Sequence, residues 1–433
     1  MMSGSVVDNT VSSGNSSAAI PTDISGQILD LDEDDDLEVF SKDTTLTDGS
    51  SFNASMQTSP ASMINQYKFE EDADTKDIFV TVDNPESHVT AIETYITYRV
   101  MTKTTRSEFD SSEFEVRRRY QDFLWLKGRL EEAHPTLIAH PLPEKFVVKG
   151  MVERFNEDFI ETRRRALHRF LNKIAEHPIF SSSEDFKIFL TAASGELTSH
   201  KKQGPGFLSR MGDTVKAVAA AVRGVRNRPQ EFTEMQEYVE AFSQKISSLD
   251  KVTQRIVREQ KEYLEELKEC GPTYALWSQS EEELAEPLKN VAGCVDRCCK
   301  ETEEQVKNLS DHLIPVLHEY VLCADTLKAV LRRRDNIQAD FEAKTEALAT
   351  KKADRDTMRN DLDKAEDRLE WANNALKSDW TRWQKVMRTD LRSAFVDTAE
   401  RNVSYYEKCL AVWESFLHSQ RTDAEGNGKV DFS

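Results

Sequence analysis

The sequence predicts a multidomain protein: a disordered N-terminal tail, a small α+β domain with an antiparallel sheet and helices, and an all-α three-helix bundle that dimerises. Three observations predict this organisation. Residues 1–76 contain few large apolar side chains, residues 78–119 contain three strand-like stretches, and residues 230–420 follow a helical pattern almost throughout. Changes of pattern on this scale are typical of separate domains along one chain.

The first segment is acidic and polar. Residues 1–77 carry 3 basic and 16 acidic side chains, including the run Asp32–Asp36, in a chain whose net charge is −20. Low hydrophobicity combined with high charge is typical of disordered segments. The sequence leaves open whether this tail docks a partner, is phosphorylated or only keeps the chain soluble.

The α+β domain is predicted because the spacing of apolar residues changes from a strand pattern to a helical pattern along it. Strands are expected at Ile78–Asp83, Ile92–Thr102 and Glu113–Arg119, because residues there alternate or favour the β conformation. Helices are expected at Tyr120–Leu130 and Glu153–Glu176, where apolar residues recur every three or four positions.

Three cations and one aromatic ring are candidates for binding a single anionic ring. Arg119 and Tyr120 lie where the third strand gives way to a helix, Lys145 follows a proline-bearing loop, and Arg163 lies in the next helix. A guanidinium presents a planar fork of donors that suits phosphate oxygens, whereas lysine acts as a point charge.

Arg163 interrupts an apolar stripe. It lies four residues after Phe159 and four before Leu167, on the face that should meet the core. A buried charge needs compensation. The compensating group is either a buried carboxylate or an anionic ligand, and the residues alone leave both open.

Two segments are candidates for shallow insertion into a lipid bilayer. The loop after Pro143 mixes apolar residues with Lys145 and Lys149, and residues 201–230 carry seven basic and one acidic side chain around an amphipathic helix at 204–228. Basic amphipathic segments bind membrane interfaces or pack on a neighbouring domain, as the loop could pack on the sheet. The candidate insertion residues are Phe146, Val147, Val148, Met151 and Val152 in the loop, and Phe207, Leu208, Met211, Val215, Val218 and Val222 in the helix.

The remaining sequence predicts long helices. The pattern at Thr357–Leu417 corresponds to a helix of about 90 Å at 1.5 Å per residue. No globular core is that wide, so we expect an elongated bundle that pairs with a second copy or a relative. The predicted domain bounds are 1–76 for the tail, 77–195 for the α+β domain, 196–229 for the linker, 230–421 for the bundle and 422–433 for a flexible C-terminal tail.

The sequence argues against catalysis. It contains no phosphate-binding glycine loop, zinc-protease motif or nucleophile elbow, and its nine histidines form no catalytic pattern. No cofactor, metal or nucleic acid is expected. The six cysteines lack metal-type spacing, and neither a secretory signal nor a spanning helix is predicted.

The small domain resembles the phox-homology (PX) domain, and the whole of residues 77–420 resembles the SNX-BAR sorting nexins, closest to the group of sorting nexins seven and thirty. The matching stretches are residues 119–127, 155–170, 201–206 and 371–377. The resemblance implies that Arg119 holds a 3-phosphate, Tyr120 packs under the inositol, Lys145 contacts the 1-phosphate side and Arg163 meets ring hydroxyls.

The resemblance also implies that the bundle is a BAR domain, a crescent-shaped dimer that meets anionic lipid through basic residues. Charge runs on long helices are as often plain solvated faces, and that alternative stays open. The candidates for the basic face are Arg332, Arg333, Arg334, Lys344, Lys351, Lys352 and Arg355.

The function implied is that of a peripheral membrane protein on the cytosolic face of early or recycling endosomes. It would recognise phosphatidylinositol 3-phosphate and membrane curvature in endosomal sorting, tubular transport and autophagy. The implied partners are such membranes and a second subunit, either a copy of this chain or another SNX-BAR protein such as sorting nexin four. The alternative is a PX-anchored scaffold whose bundle binds proteins and does not shape membranes.

Overall fold

The structure is a computed structural model. It describes residues 76–90, 94–144, 156–203, 225–350 and 355–427, with side chains as far as residue 421. Residues 1–75 of the predicted disordered tail, residues 145–155 after the proline-bearing loop and residues 204–224 of the predicted basic helix lie outside the described residues. Among the described residues, no helix is both long and apolar enough to cross a lipid bilayer.

The α+β domain begins with the three predicted strands. They are β1 (Ile78–Val89), β2 (Thr94–Thr104) and β3 (Glu113–Arg119), in the spatial order β1-β2-β3. β2 and β3 pair antiparallel, and their register places Tyr98 opposite Arg118. Burial alternates along β3 as predicted, because successive side chains of a strand point to opposite faces.

In the described part of the chain up to residue 203, four α-helices follow the sheet. The first two are α1 (Tyr120–Ala133) and α2 (Glu157–Ala175), and the Asn156 side chain caps α2 by accepting from the Asp158 N–H at 3.0 Å. A 3₁₀ turn (Phe180–Ser182), α3 (Glu184–Thr191) and α4 (Ser194–Gln203) come next, and α4 extends into the predicted linker.

The core of the domain lies between the sheet and the first helices. The predicted apolar stripe of α1 is confirmed, because Phe123, Leu126 and Leu130 are fully buried. The Phe123 ring meets Phe189 edge-on, with centroids 5.0 Å apart. This packing fixes the start of α1, where the candidate site begins.

The helical region is built from α5 (Gln230–Trp277), α6 (Ala285–Asn308), α7 (Ile314–Thr350) and α8 (Arg355–Asn427). A π-helical turn, Leu309–Leu313, joins α6 to α7, whose second residue is Pro315. α6, the π-helical turn and α7 therefore follow one another without a gap, and a proline, which lacks an N–H, comes soon after the turn.

Two compact units divide the described residues. The smaller includes Ser87–Thr90 and Thr94–Tyr95, where the rings of His88 and Tyr95 stack with centroids 5.1 Å apart. All other described residues belong to the larger unit, which therefore contains the rest of the α+β domain together with the bundle.

Within that larger unit, the α+β domain and the bundle share their cores. Ile138 of the domain belongs to the apolar cluster around Tyr320 and Trp380 of the bundle. In return, Ala375 and Trp371 of α8 pack into the cluster of the α+β domain. The two domains are thus docked through apolar as well as polar contacts.

Candidate functional site

The candidate ligand-binding residues meet at the junction of β3, α1 and α2. Arg119 is the last residue of β3, Tyr120 is the first of α1, and both are half-buried. The Arg163 guanidinium lies over the Tyr120 ring, 4.3 Å from its centroid, and over the Phe159 ring, at 4.5 Å. The structure therefore brings together three of the four predicted residues, while the fourth, Lys145, lies outside the described residues.

Asp122 organises the start of α1 next to Arg119. Its carboxylate accepts the Arg119 backbone N–H at 2.7 Å, as an acidic residue in the first turn often does. The other oxygen lies 2.5 Å from Lys201 Nζ. Lys201 thus balances the negative charge of Asp122 beside the candidate site.

The other two arginines of the run have structural roles. Arg117 donates to Thr97 Oγ1 at 2.9 Å and pairs with Glu86 at 3.0 Å. Arg118 is fully buried, donates to the Phe189 carbonyl at 2.7 and 2.9 Å, and has its pKa lowered to about 10 by burial. Arg119 is the member of the run that lies at the candidate site.

The proline-bearing loop closes one side of the site. The Tyr120 hydroxyl donates to the Pro143 carbonyl, and Arg163 Nη2 lies 3.5 Å from the carbonyl oxygen of Glu144. Lys145 follows Glu144 directly in the sequence. The predicted insertion residues Phe146, Val147, Val148, Met151 and Val152 continue this loop outside the described residues, as Phe207, Leu208, Met211, Val215, Val218 and Val222 do further on.

The two arginines after Arg163 make their contacts with groups of the protein. Arg164 donates to the Val82 carbonyl at 2.7 Å and pairs with Glu161, and Arg165 pairs with Glu161 and, at 3.2 Å, with Asp311. The hydrogen bond from Arg164 is the main cause that lowers the pKa of Glu161 to about 2.

The candidates for the basic face of the bundle fall in different environments. Arg332 and Arg355 are exposed, and Lys344 pairs with Asp340 at 2.9 Å. Arg333 is half-buried and donates to the Pro135 carbonyl of the α+β domain at 2.7 Å. Lys351 and Lys352, between α7 and α8, lie outside the described residues.

The prediction that Arg334 meets lipid is wrong. Its side chain is completely buried, with the guanidinium 4.0 Å from the centroid of the Phe232 ring. It also donates to Asn373 Oδ1 at 2.8 Å and pairs with Asp335 at 3.1 Å. A side chain enclosed by the bundle cannot reach a membrane surface.

The sequence pattern that predicts the long helix at Thr357–Leu417 does not separate buried from exposed apolar residues. Trp380 and Trp383 are buried within the chain, whereas the later part of α8 exposes an apolar stripe. Exposed apolar patches of this kind mark interaction surfaces. The exposed α8 stripe consists of Phe395, Val396, Val403, Tyr406, Leu410, Trp413 and Leu417.

Two family descriptions match the chain. The family described as "PX domain" matches residues 106–193, and the family described as "Vps5 C terminal like" matches residues 208–388. The two matches correspond to the α+β domain with the candidate site and to most of the helical region.

Several curated relatives align over most of their length. Sorting nexin-7 of Homo sapiens is 64% identical over 373 residues, which are 86% of this chain and 96% of that protein. Sorting nexin-30 of Xenopus tropicalis is 47% identical over 390 residues, 90% of this chain and 87% of that protein. Among solved structures, the SNX-BAR Mvp1 tetramer has the same fold, with a TM-score of 0.54 and 17% identity over 78% of this chain and 99% of that one.

Proposed function

Because the chain belongs to the SNX-BAR sorting nexins, with a PX domain followed by a BAR-like helical region, we propose that it is a peripheral membrane protein of endosomal sorting that binds phosphatidylinositol 3-phosphate. It acts by binding and not by catalysis, on the cytosolic face of early or recycling endosomes. Tubular transport and autophagy are the processes that this activity would serve.

The observation that carries the proposal is the convergence of Arg119, Tyr120 and Arg163 at one corner of the PX domain. The Arg163 guanidinium lies over the Tyr120 ring and close to the Glu144 carbonyl there, Arg119 directly precedes Tyr120 in the chain, and Lys145 directly follows Glu144. Charge-assisted bonds from guanidinium groups to phosphate are about twice as strong as neutral ones. We assign the 3-phosphate to Arg119, the inositol ring to Tyr120, the hydroxyls to Arg163 and the 1-phosphate side to Lys145.

The site is partly organised before a ligand arrives. The Arg163 guanidinium is held between the rings of Tyr120 and Phe159, and the Tyr120 hydroxyl is bonded to the Pro143 carbonyl. Fixing these groups in advance reduces the entropy that binding must remove, which favours affinity.

The bundle supplies further membrane contacts as a dimer. The exposed α8 stripe would be buried against a second subunit, either another copy or a related SNX-BAR chain such as sorting nexin four. Insertion of the loop after Glu144 and of the 204–228 segment would add to the lipid contact. Several linked weak contacts multiply through effective concentration, so the assembly would detect lipid and curvature together.

One observation favours the second candidate function, a PX-anchored protein scaffold. Residues 231–433 carry 30 basic and 41 acidic side chains, and Arg334 is withdrawn from the surface. Anionic lipid repels an acidic bundle. A bundle of this charge would therefore be better suited to binding proteins than to binding membranes. The double variant Lys351→Glu/Lys352→Glu separates the two functions. If the variant still dimerises but no longer binds vesicles, the bundle recognises membrane curvature. If it binds vesicles normally but loses its protein partner, the bundle is a scaffold.

The test of the proposed function is flotation of the purified chain with liposomes that each carry one phosphoinositide, at two vesicle diameters. We expect binding confined to the 3-phosphorylated lipid and stronger on the smaller vesicles. Lipid-selective binding that does not depend on vesicle diameter would support the lipid site but would favour the scaffold function of the bundle. Equal binding to all phosphoinositides would contradict the assigned specificity.

A further inference from the structure

The loop that borders the lipid site is unusually buried. Residues 134–144 form no helix or strand, yet the side chains of Thr136–Ala139 are between 0% and 4% exposed. Loops normally lie on the surface, because buried backbone N–H and C=O groups need hydrogen-bond partners. Several hydrogen-bond partners of this loop come from the helical bundle.

Asp379 of α8 binds the middle of the loop. Its carboxylate accepts the Ile138 backbone N–H at 2.6 Å, although the two residues are 241 positions apart. The same carboxylate lies 3.1 Å from His177 Nε2 and 2.6 Å from Arg382 Nε, and its side chain is 1% exposed. Burial raises the pKa of Asp379, but Arg382, His177 and the Ile138 N–H outweigh it and hold the carboxyl ionised.

Two residues of α7 hold the loop on either side of Ile138. Arg333 Nε donates to the Pro135 carbonyl at 2.7 Å. Glu319 Oε1 lies 3.1 Å from His140 Nε2, and the other oxygen of that carboxylate accepts from Arg169 of α2. The bundle therefore contacts the loop at three points within six residues.

The far end of the same loop touches the lipid site. The carbonyls of Pro143 and Glu144 meet the side chains of Tyr120 and Arg163, respectively. The position of this loop thus sets the orientation of the ring and of the guanidinium that would surround the inositol.

We propose that Asp379, Glu319 and Arg333 of the bundle are positioning residues of the phosphoinositide site. They touch no lipid themselves, and they act by holding the 134–144 loop, whose carbonyls orient Tyr120 and Arg163. This inference rests on the proposed function, namely that the site binds a 3-phosphorylated inositol lipid.

The physical consequence is a coupling between bundle and site. When a bundle contact is lost, the loop samples other positions, and ligand binding must then order it, which weakens affinity. Because coupling between sites is reciprocal, a bound head group should also make the loop's contacts with the bundle more stable.

The test uses the full chain and a soluble probe, inositol 1,3-bisphosphate, so that membrane contacts of the bundle do not contribute. We expect Asp379→Asn and Arg333→Met to weaken probe binding about three- to tenfold in calorimetric titrations, which is the range expected for ordering a short loop. Arg333→Lys should restore most of the affinity, because a lysine can still donate to the Pro135 carbonyl. The matched control is Lys328→Met, since Lys328 also lies on α7 but, among the described residues, donates to Ser243 and Asp325 of the bundle.

Amide exchange provides the second readout. In Arg333→Met and Asp379→Asn the Ile138 amide should exchange faster than in the wild type, while amides in the buried part of α1 keep their protection. If Asp379→Asn does not fold, Arg333→Met tests the proposal instead. The Arg333 side chain is 29% exposed, so its replacement should leave the fold intact.

The outcomes separate the two claims. A wild-type chain that binds neither inositol 1,3-bisphosphate nor vesicles with phosphatidylinositol 3-phosphate overturns the proposed function and this inference with it. A wild type that binds the probe, with folded Arg333→Met that binds it equally well, overturns this inference alone.

Discussion

The imidazole of His177 donates its Nε2 proton to the buried carboxylate of Asp379, 3.1 Å away, across the boundary between the PX domain and the bundle. The proton must be on Nε2, because Nδ1 accepts the backbone N–H groups of Ile179 and Phe180 at 3.1 and 3.2 Å. A second proton on Nδ1 would point at the backbone N–H groups of Ile179 and Phe180, which are also donors, and both of their hydrogen bonds would be lost. The contact between the domains therefore requires a neutral histidine.

Stability should consequently fall in mild acid. Burial lowers the pKa of His177; Asp379 partly opposes this shift and Arg382 of α8 adds to it. Burial also lowers the pKa of His134, which faces His177 from the end of α1. Below the unfolded-chain pKa of about 6.5, the unfolded chain binds more protons than the folded one, so the free energy of unfolding decreases as the pH falls.

Melting of the full chain at pH 7.5 and pH 5.5 checks this expectation. The melting temperature should be lower at pH 5.5, and the difference should shrink in His177→Gln, whose amide N–H can still donate to Asp379 but cannot gain a proton. A wild-type melting temperature that is equal or higher at pH 5.5 would contradict the assignment.

Replacing Arg119 should impair lipid binding and leave the fold intact. Arg119→Ala removes a charge-assisted bond to phosphate, which is worth about 1.5–3 kcal/mol, or roughly a tenfold to hundredfold loss of affinity. The measurement is flotation with vesicles that carry phosphatidylinositol 3-phosphate. Arg129→Met is the matched control, because Arg129 is half-buried in the same domain and pairs with Asp185 and Glu132. If Arg119→Ala binds these vesicles as well as the wild type does, the site assignment is wrong.

Replacing the neighbouring Arg118 should reduce the stability of the fold, which replacing Arg119 should not do. Arg118→Met leaves the buried carbonyls of Phe189 and Ala192 without their donor, which costs on the order of 3 kcal/mol of stability. Urea unfolding of the full chain measures this loss, and Arg119→Ala should remain close to the wild type in the same assay. A stable Arg118→Met chain would show that those carbonyls find other partners.

Charges placed on the exposed α8 stripe should prevent self-association. Leu410 is 57% exposed and Trp413 is 41% exposed, and a buried carboxylate between two subunits would lack a partner. We expect Leu410→Glu to weaken self-association at least about tenfold in sedimentation velocity, as loss of a central apolar contact does.

The control for this experiment lies on a different surface. Phe79→Glu changes an apolar side chain of similar exposure, 51%, on β1 of the PX domain. It should sediment as the wild type does. If Leu410→Glu also associates like the wild type, the stripe is not the contact between copies.

The local elements could be predicted because their signals are local. The period of two in Glu113–Arg119 and the stripe through Phe123, Leu126 and Leu130 follow from backbone geometry alone, and the structure confirms both. The adjacency of Arg119 and Tyr120 also follows from the chain. Sequence therefore located the β3–α1 corner of the candidate site.

The run Arg332–Arg334 shows where local reasoning fails. Successive residues of a helix point about 100° apart, so the run as a whole cannot face one surface. Arg332 is exposed, Arg333 reaches Pro135 and Arg334 is buried against Phe232. Nothing in the run itself shows which of these directions meets another helix.

By itself, the sequence determined the domain order, the period of each strand and helix, and the family resemblance, since each depends on residues close together in the chain. Only the tertiary structure decided that Asp379 holds the Ile138 N–H, 241 residues away, and that α7 and α8 cover the loop beside the candidate site. The physical reason is that a hydrogen bond depends on the distance between two atoms, and distance between remote segments is set by the packing of the whole molecule and not by any local pattern.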